Sequence, residues 1–390
     1  MKYNFDEIVD RRHTDSVKWG PMEGDYNVDD ILPVWIADMD FKTSPEIIEA
    51  LGKRVEHGVF GYNYVEDTVY DAIINWVKDR YNWEIKKEWI LFTPGVVAGF
   101  NLGIKVFTEK NDQIVIQTPA YPPFYRVIDN NEKDLVSNPL IIKDGKYAID
   151  FDDLEKKLRT AKTLMFCSPH NPVGRVWTEE ELMKLSKLCE ENDVSIISDE
   201  IHCDLLFQGH RHINIASLSD YMRDNSITLI APSKTFNIAG LSTSVAIIPN
   251  EEIRDKFSQR FAKSELGHSS LFGVVALEAA YNHSRDWLSE VLKYLEANME
   301  FALEYIEKNI RGIKVIKPEG THLLWLDCRG LGLEAEELFK LMIEEGKVYL
   351  NDGSMFGEEG RGFLRLNIGT ARSVIEDALK RIEYAVKQIK

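Results

Sequence analysis

Four short apolar runs in this sequence are each followed at once by polar residues that could take part in catalysis. The four groups are Thr93-Pro94-Gly95 after residues 89–92, Ser168 to Asn171 after residues 163–167, Asp199 after residues 194–198, and Ser233-Lys234 after residues 227–231. Together they supply an amine, a carboxylate, an amide and hydroxyl groups. Burial lowers the pKa of a lysine amine, so a lysine in such company can serve as a base or a nucleophile.

Each of these residues also has an ordinary structural explanation. Asp199 could cap a helix, Asn171 could stabilise a turn before a proline, and Lys234 could simply be solvated. The four apolar runs, however, have lengths typical of buried strands. In an open parallel sheet the carboxyl ends of the strands meet at one edge, where ligands bind. Four loops that bring these groups to one edge therefore favour a shared site over four unrelated turns.

The elements between these groups predict an α/β protein of two domains. A chain of 390 residues exceeds the size at which one hydrophobic core keeps growing. Between residues 45 and 285, short β-rich runs alternate with longer segments of helical periodicity, as in a mainly parallel, doubly wound sheet. After residue 285 a long acidic helix precedes mixed strands and helices. We therefore expect a large domain over 45–285 and a smaller α+β domain from 1–44 and 286–390.

Several helices carry start signals in the sequence. The signals are Ser44 as an N-cap followed by Pro45, with Gly58 as the stop, and two capping boxes, Thr178 with Glu181 and Ser373 with Glu376. The first helix is expected to bury the stripe Ile47, Ile48, Leu51 and Val55. The last helix is expected to bury Ile375, Leu379, Ile382, Ala385 and Ile389. These helices would cover the sheets.

Composition excludes some classes of partner. The formal net charge of −17 would repel nucleic acid and anionic lipid, because such binding needs clustered Lys and Arg. The first residues form no signal peptide, and no window supplies the roughly 18 apolar residues of a membrane span. We expect a cytoplasmic protein that binds neither membrane nor nucleic acid. The widely spaced Cys167, Cys189, Cys203 and Cys328 are expected to be buried, reduced thiols.

Longer motifs resemble those of a known family. In order along the chain, PHNPVGRVW (169–177), ISDEIHCD (197–204) and APSKTFNIAGL (231–241) are similar to motifs of the fold-type I pyridoxal phosphate enzymes in the class I/II aminotransferase group. The resemblance covers essentially the whole chain. Three further segments, VWIADMDF (34–41), HGVFGYNY (57–64) and MFGEEGRGFLRLNIGT (355–370), look most like the cystathionine β-lyase, or carbon–sulfur lyase, subgroup. The resemblance implies a pyridoxal 5'-phosphate (PLP) cofactor and the PLP-dependent transferase fold of type I.

The resemblance implies a role for each candidate residue. Lys234 would bind the cofactor covalently and later remove the Cα proton, and Asp199 would keep the pyridine nitrogen protonated. Asn171 would donate to the phenolic oxygen of the cofactor and help bind substrate, and Tyr121 would lie against its ring. The phosphate would bind the backbone N–H groups of Gly95, Val96 and Val97, which open a helix, and the hydroxyl of Ser233.

Arg365 would bind the substrate carboxylate as a bidentate fork, which lysine cannot imitate. Taken without the resemblance, Arg365 could equally form a surface ion pair in a protein so rich in acids. Its place between a Gly-rich segment and the last helix matches the arginine of the family. We therefore expect it in the site.

Two positions depart from the common aminotransferase pattern. His202 replaces a tyrosine that follows the pyridine-pairing acid, and Ser242 replaces a phosphate-binding arginine that follows the lysine. We expect His202 to contact the cofactor. One phosphate charge is then left to other donors, and we expect Tyr62 to reach it from the second subunit of a homodimer. Tyr62 could instead be a core aromatic residue, and Tyr64 is a rival for this role.

The segment IHCDLLFQGHRH (201–212) suggests a metal site only superficially. In an extended chain His202 and Cys203 would point to opposite faces, and the later histidines would lie at the end of a loop. We expect no metal ligands here.

The expected reaction is β-elimination on an L-cysteine S-conjugate such as cystathionine, which gives a thiol, pyruvate and ammonia. An aminotransferase is the first alternative, because it needs the same lysine, acid and arginine. A regulatory protein that acts by binding another protein is an alternative of a different class, since fold does not fix function. The subgroup motifs and His202 favour the lyase.

Overall fold

A computed structural model of the chain describes residues 2–20, 30–266 and 269–389. The helices are α1 Pro45–His57, α2 Asp67–Tyr81, α3 Val96–Phe107, α4 Pro122–Asn130, α5 Phe151–Leu158, α6 Glu179–Glu191, α7 Asp220–Asp224, α8 Pro232–Thr235, α9 Glu251–Lys263, α10 Leu271–His283, α11 Arg285–Asn309, α12 Ala335–Glu344 and α13 Arg372–Lys387. The strands are β1 Leu32–Pro33, β2 Ile90–Thr93, β3 Gln113–Thr118, β4 Asp134–Pro139, β5 Ile141–Lys143, β6 Lys146–Ala148, β7 Ala161–Cys167, β8 Ser195–Asp199, β9 Ser226–Ile230, β10 Ser244–Ile247, β11 Lys314–Val315, β12 Leu323–Asp327, β13 Val348–Tyr349, β14 Asn351–Asp352 and β15 Phe363–Asn367.

The central sheet confirms the predicted mainly parallel α/β architecture. Seven strands run in the order β2-β10-β9-β8-β7-β3-β4. Strand β10 alone among them is antiparallel to its neighbours β2 and β9. The other pairs are parallel. The carboxyl ends of β2, β3, β7, β8 and β9 therefore share one edge of the sheet, and the start of β10 lies at the same edge.

The first helix forms where the sequence predicts it, but its buried face is narrower than expected. Pro45 is its first residue, and Gly58 ends it in the left-handed conformation, with φ of 76°. Ile47 is fully buried and Leu51 is half-buried. Ile48 and Val55, which were expected to face the core, are 49% and 56% exposed. Part of the apolar stripe of α1 is thus free to contact something other than the core of its own chain.

The helix starts were predicted with mixed success. Thr178 and Glu181 form the expected capping box of α6. The capping box predicted at Ser373 and Glu376 is wrong, because α13 begins at Arg372 and Ser373 is already inside the helix. Glu376 instead pairs with Lys380 at 2.6 Å, one turn on.

The start of α13 is held from outside the helix. The hydroxyl of Tyr294 accepts a hydrogen bond from the backbone N–H of Arg372 at 2.8 Å. The helix buries Ile375, Leu379, Ile382 and Ala385 as predicted. Ile389 lies beyond the helix end and is only half-buried, so that part of the prediction is wrong.

The second half of the chain contains a four-stranded antiparallel sheet, β11-β12-β15-β14. The predicted long helix, α11, precedes it. Residues 30–44 add the short strand β1, which pairs with β13 in this half of the chain. The predicted division into domains 45–285 and 1–44 with 286–390 stays a proposal, since the largest apolar cluster draws residues from both.

Two further sequence expectations concern thiols and membranes. Cys167, Cys189, Cys203 and Cys328 are all buried and free, as predicted. None of the helices in the described ranges is long and apolar enough to span a bilayer.

Candidate active site

A cavity of about 610 Å³ opens at the edge where the parallel strands end. The predicted site residues that line it are Gly95, Val96, Val97, Tyr121, Asn171, Asp199, His202, Ser233, Lys234 and Arg365. The four strand ends singled out in the sequence therefore meet at one place. Tyr62 is the exception, because its side chain is fully exposed and does not line the cavity of its own chain.

Lys234 lies on α8, the single turn that follows β9. Its Nζ donates a hydrogen bond to the backbone oxygen of Ala37 at 2.6 Å. Burial lowers the pKa of Lys234 to about 8, Arg365 adds to this effect, and the carboxylates of Asp38 and Asp199 oppose it. A sizeable fraction of the amine is therefore neutral near pH 7 to 8, as a nucleophile or base requires.

The turn that carries Lys234 is anchored by the residues beside it. Thr235 Oγ1 donates to the buried carboxylate of Asp204 at 3.0 Å. Asp204 also accepts from the hydroxyl of Tyr81 at 2.6 Å and from the indole nitrogen of Trp76 at 3.3 Å, both on α2. Asn237 fastens the other side of the turn to residues 39–41. These bonds fix the backbone from which Lys234 projects.

Asp199 ends strand β8 and is buried. Its Oδ1 accepts one hydrogen bond, from the backbone N–H of Ile201 at 3.2 Å. Burial raises the pKa of Asp199 to about 7, and Lys234 only partly offsets this rise. A carboxylate so poorly satisfied is costly unless a cation approaches it. The site thus has a place for a positively charged group of a ligand.

Arg365 lies on β15 and is buried without a carboxylate partner among the described residues. Its Nη1 donates to Asn171 Oδ1 at 3.0 Å, and its Nη2 donates to Asn351 Oδ1 at 2.5 Å and to the backbone oxygen of Trp35 at 3.1 Å. Its Nε has no hydrogen-bond partner in the part of the chain that the structure describes. Burial lowers its pKa to about 10. A buried guanidinium with a spare donor is suited to bind a ligand carboxylate.

His202 lies directly beyond β8 and is buried beside a second histidine, His322. The two ring centroids are 6.1 Å apart. Burial lowers the pKa of His202 to about 3, and Lys234 and Arg365 add to this effect. His202 is therefore a neutral imidazole near pH 7. The chain is in a turn at His202 and Cys203, so the extended conformation expected there is wrong.

The start of α3 forms an anion site at the β2 end of the cavity. Gly95 is the N-cap of α3, and no side chain caps the free N–H groups of the first turn. Thr243, immediately before β10, lines the same cavity, and its buried hydroxyl has no hydrogen-bond partner among the described residues. Ser233 and Ser242 add further hydroxyls. Free amides at a helix N-terminus together with hydroxyl groups are typical of a phosphate site.

Residues 35–37 form a wall of the cavity, and the segment that they begin, residues 35–41, connects β15 to the lysine turn. Asn367, on β15, donates to the backbone oxygens of Ile36 and Asp38 at 2.5 and 2.6 Å. Behind this wall, the buried Lys18 pairs with Asp40 at 2.7 Å. Burial acts to raise the pKa of Asp40, but Lys18 and Arg11 outweigh burial and lower it. The wall is thus held by charges as well as by backbone bonds.

Sequence reasoning missed several lining residues. Four with polar groups are Trp35, Arg126, Asn351 and Thr243. The segment VWIADMDF was noted as a whole, but no residue in it received a role. A useful signal for Thr243 was its position next to Ser242, where the family has an arginine. Arg126 and Asn351 follow no apolar run that would mark them as strand ends of the large sheet.

The residues present fit the cofactor that the sequence resemblance implies. The uncapped start of α3 and the unpartnered Thr243 hydroxyl suit a phosphate. The underpaired carboxylate of Asp199 suits a protonated ring nitrogen. Lys234, with its lowered pKa, suits an aldehyde carbon. In the part of the chain that the structure describes, no group of three or more His, Cys, Asp or Glu side chains could hold a metal ion.

The surroundings of His212 and His210 do not indicate a metal site. His212 Nε2 lies 2.7 Å from the buried carboxylate of Glu200. His210 is half-buried in a loop.

Comparisons with known proteins agree with this site. Cystathionine beta-lyase PatB of Bacillus subtilis is 44% identical over 98% of this chain and 100% of its own length. The crystal structure of cystalysin from Treponema denticola, which contains a pyridoxal 5'-phosphate cofactor, matches with a TM-score of 0.95 and 36% identity over 100% of both chains. The PLP-bound C-S lyase from Staphylococcus hominis matches with a TM-score of 0.91 and 36% identity over 99% of both chains.

The family comparison covers nearly the whole chain. A sequence model of the family described as aminotransferase class I and II matches residues 30–382, a range that contains every residue assigned above to the cavity. The chain belongs to the class I and II aminotransferase family.

Proposed function

We propose that this protein is a PLP-dependent carbon–sulfur β-lyase that cleaves cystathionine or related L-cysteine S-conjugates to a thiol, pyruvate and ammonia. The observation that carries the proposal is one cavity that holds a lysine of lowered pKa, a buried carboxylate and a buried arginine without an acidic partner. The names of the relatives, cystathionine beta-lyase and C-S lyase, agree with it.

Different residues of the site have different roles in this reaction. Arg365 holds the α-carboxylate of the amino acid, and Asn171, which accepts from Arg365, is thereby left to donate with its amide nitrogen. Tyr121 and Asn171 hold the ring of the cofactor, and Val96 and Val97 offer backbone N–H groups to its phosphate. When bound, PLP supplies an electron sink that acidifies the Cα–H bond. Asp199 keeps the ring nitrogen protonated.

The proton at Cα is taken by Lys234. Its Nζ is held at the cavity wall by Ala37 and has a lowered pKa, so it is available in the neutral form. Loss of that proton lets the sulfur at Cβ leave as a thiolate. Water then completes the conversion to pyruvate and ammonia. The cavity, at about 610 Å³, leaves room for a side chain beyond sulfur.

An aminotransferase remains the second candidate, because the family match supports it. Both reactions use the same lysine, acid and arginine, and they differ in whether a Cβ substituent leaves. An assay of the purified, PLP-loaded protein with cystathionine and no keto acid separates them. We expect catalytic release of thiol and pyruvate. Absence of both products, with amino transfer to an added keto acid, would replace the lyase by the aminotransferase. Absence of both activities would favour a role in binding another protein.

A substitution at Arg365 tests the proposed carboxylate site. Arg365→Lys keeps the charge but loses the fork and its bonds to Asn171 and Asn351. We expect KM for cystathionine to rise about 10- to 100-fold, the effect of losing a charge-assisted hydrogen bond, while covalent cofactor content stays constant. Arg361→Lys, at an exposed residue paired with Glu358, is the matched control. An unchanged KM in Arg365→Lys would refute the assignment.

We also propose a homodimer in which Tyr62 reaches the phosphate in the other subunit. The support is a set of exposed apolar side chains on α1 and the loop after it, namely Ile48, Val55, Val59, Phe60, Tyr62 and Tyr64. Such a surface is costly in water and suits a subunit interface. A cytoplasmic location stays a prediction from the sequence.

A conservative pair of variants tests the role of Tyr62. Tyr62→Phe removes one hydroxyl, and we expect the dissociation constant for PLP to rise about 10-fold or more, the effect of losing a hydrogen bond to a charged group. Tyr64→Phe is the control, because the Tyr64 hydroxyl donates to Glu66 at 2.8 Å. Sedimentation equilibrium gives the subunit number. A monomeric holoenzyme, or a larger effect of Tyr64→Phe, would contradict the proposal.

A further inference from the structure

The cavity differs in charge from the rest of the protein. The charged side chains that line it are Arg126, Asp199, Lys234 and Arg365. Three cationic residues thus face one carboxylate, in a chain whose formal net charge is −17. A surplus of one sign of charge in a cleft raises the local concentration of ligands of the opposite sign. The cavity therefore favours anionic ligands.

Lys234 and Arg365 already have roles in the proposed function, whereas Arg126 has none. Arg126 is exposed at the mouth of the cavity, and it forms no ion pair or hydrogen bond through its side chain within the described residues. Its charge nevertheless acts inside the site. Burial raises the pKa of Tyr121, with help from Asp199, and the charges of Arg365 and Arg126 oppose that rise. Arg126 is thus a cation beside the cavity without a side-chain partner among the described residues.

The position of Arg126 is fixed by the residues next to it. The backbone oxygen of Phe356 accepts hydrogen bonds from the N–H of Ala120 at 2.8 Å and from the hydroxyl of Tyr125 at 2.6 Å. These bonds tie the start of α4 to the rim of the cavity at Phe356. Arg126 follows Tyr125 directly, so it is placed at this rim by a rigid helix rather than by a loop.

Arg126 lies on a different element from the two anion sites already assigned. The phosphate site lies at the start of α3, whereas Arg126 lies on α4. The two helices pack against each other through Phe100 and Phe124, whose ring centroids are 5.2 Å apart. Arg365 is buried, and its bonds to Asn171, Asn351 and Trp35 leave two N–H groups, one on Nε and one on Nη1, for the α-carboxylate. Arg126, which has no side-chain partner within the described residues, is available for a third anionic group.

We propose that Arg126 is a specificity residue that binds a carboxylate at the far end of the sulfur substituent, so that the preferred substrates are dicarboxylic cysteine thioethers. This inference rests on the proposed lyase function and names its substrate class. An arginine fork at the mouth pairs with the distal carboxylate while Arg365 holds the α-carboxylate. The sulfur atom of the substrate then lies between the two bound carboxylates.

A matched pair of substrates tests this subsite. S-(2-carboxyethyl)-L-cysteine carries a distal carboxylate, and S-propyl-L-cysteine is similar in length but lacks that charge. The ratio of their kcat/KM values is measured for the PLP-loaded wild type, for Arg126→Ala, and for Arg260→Ala, which removes the same charge at an exposed position on α9 outside the cavity. In Arg126→Ala we expect the preference for the acid to fall about tenfold, mainly through KM. Arg126→Lys should retain part of it.

The outcomes separate the subsite from the function on which it rests. A lower ratio in Arg126→Ala, with the wild-type ratio in Arg260→Ala, supports the subsite. Cleavage of both compounds with the same ratio in all variants overturns the subsite and leaves the lyase intact. Failure of the wild type to release thiol or pyruvate from either compound overturns both. Added salt gives a check in the wild type alone, because it should weaken the preference for the acid.

Discussion

Lys234→Ala is expected to lower the rate of β-elimination by about 1,000-fold or more, because one amine serves both as the covalent anchor and as the base. In the structure no other lysine lines the cavity within the described residues, so none can replace it. The variant should also lose the absorbance of covalently bound cofactor. Both losses are measured on one sample, by a thiol-release assay and by a visible spectrum.

The control for this variant concerns folding. Lys234 forms one hydrogen bond, to Ala37, whereas the turn itself is held by Thr235 and Asn237. We therefore expect Lys234→Ala to keep the thermal stability of the apoprotein within a few degrees, since surface and half-buried polar substitutions of this kind usually cost little. A Lys234→Ala protein that is folded and still shows the covalent absorbance would refute the cofactor assignment.

Asp199→Asn is expected to have the second-largest effect, and it should act on kcat. The amide keeps the shape of the side chain, and its oxygen can still accept from Ile201. The negative charge that holds a proton on the ring nitrogen is lost, and we expect kcat to fall about 100-fold or more, the usual scale for losing one preorganised electrostatic group. KM should change much less, since Arg365 is untouched.

A comparison with Asp199→Glu shows whether charge is the cause. Glutamate keeps the carboxylate at the cost of one extra methylene in a buried position, so it should recover part of kcat. Burial, partly offset by the N–H of Ile201 and by Lys234, raises the pKa of Asp199 to about 7, so the apoprotein holds this carboxylate only partly ionised at neutral pH. A bound cation lowers the pKa again. Equal activity of Asp199→Asn and the wild type would contradict the proposed role.

The sequence predicted the site best where chemistry and local pattern coincide. Lys234, Asp199 and Asn171 each follow an apolar run, and parallel pairing of those runs was enough to bring them together. The family and the fold were confirmed by the comparisons. The names of the similar proteins also agree with the predicted lyase activity. Local sequence carries this information because a strand end is a local feature.

The parts that sequence reasoning missed depend on tertiary contacts. The backbone oxygen of Trp35 accepts from Arg365 across 330 residues of sequence, and Asn351 accepts from it across 14, between two different strands. The false capping box at Ser373 arose because the hydroxyl of Tyr294, from α11, holds the helix start instead. Ile48 and Val55 follow the helical period but face outward, since periodicity does not tell a core from an interface. The domain boundaries stay a prediction, because periodicity does not tell which domain an element packs in.

One competition measurement tests the proposed lyase most directly. The PLP-loaded protein receives cystathionine together with 2-oxoglutarate, and thiol, pyruvate, ammonia and glutamate are counted over many turnovers. The arrangement of Lys234, Asp199 and Arg365 predicts equal amounts of thiol, pyruvate and ammonia, with little glutamate. Glutamate formed in place of ammonia, without release of thiol, would show that the protein transfers amino groups and would contradict the lyase.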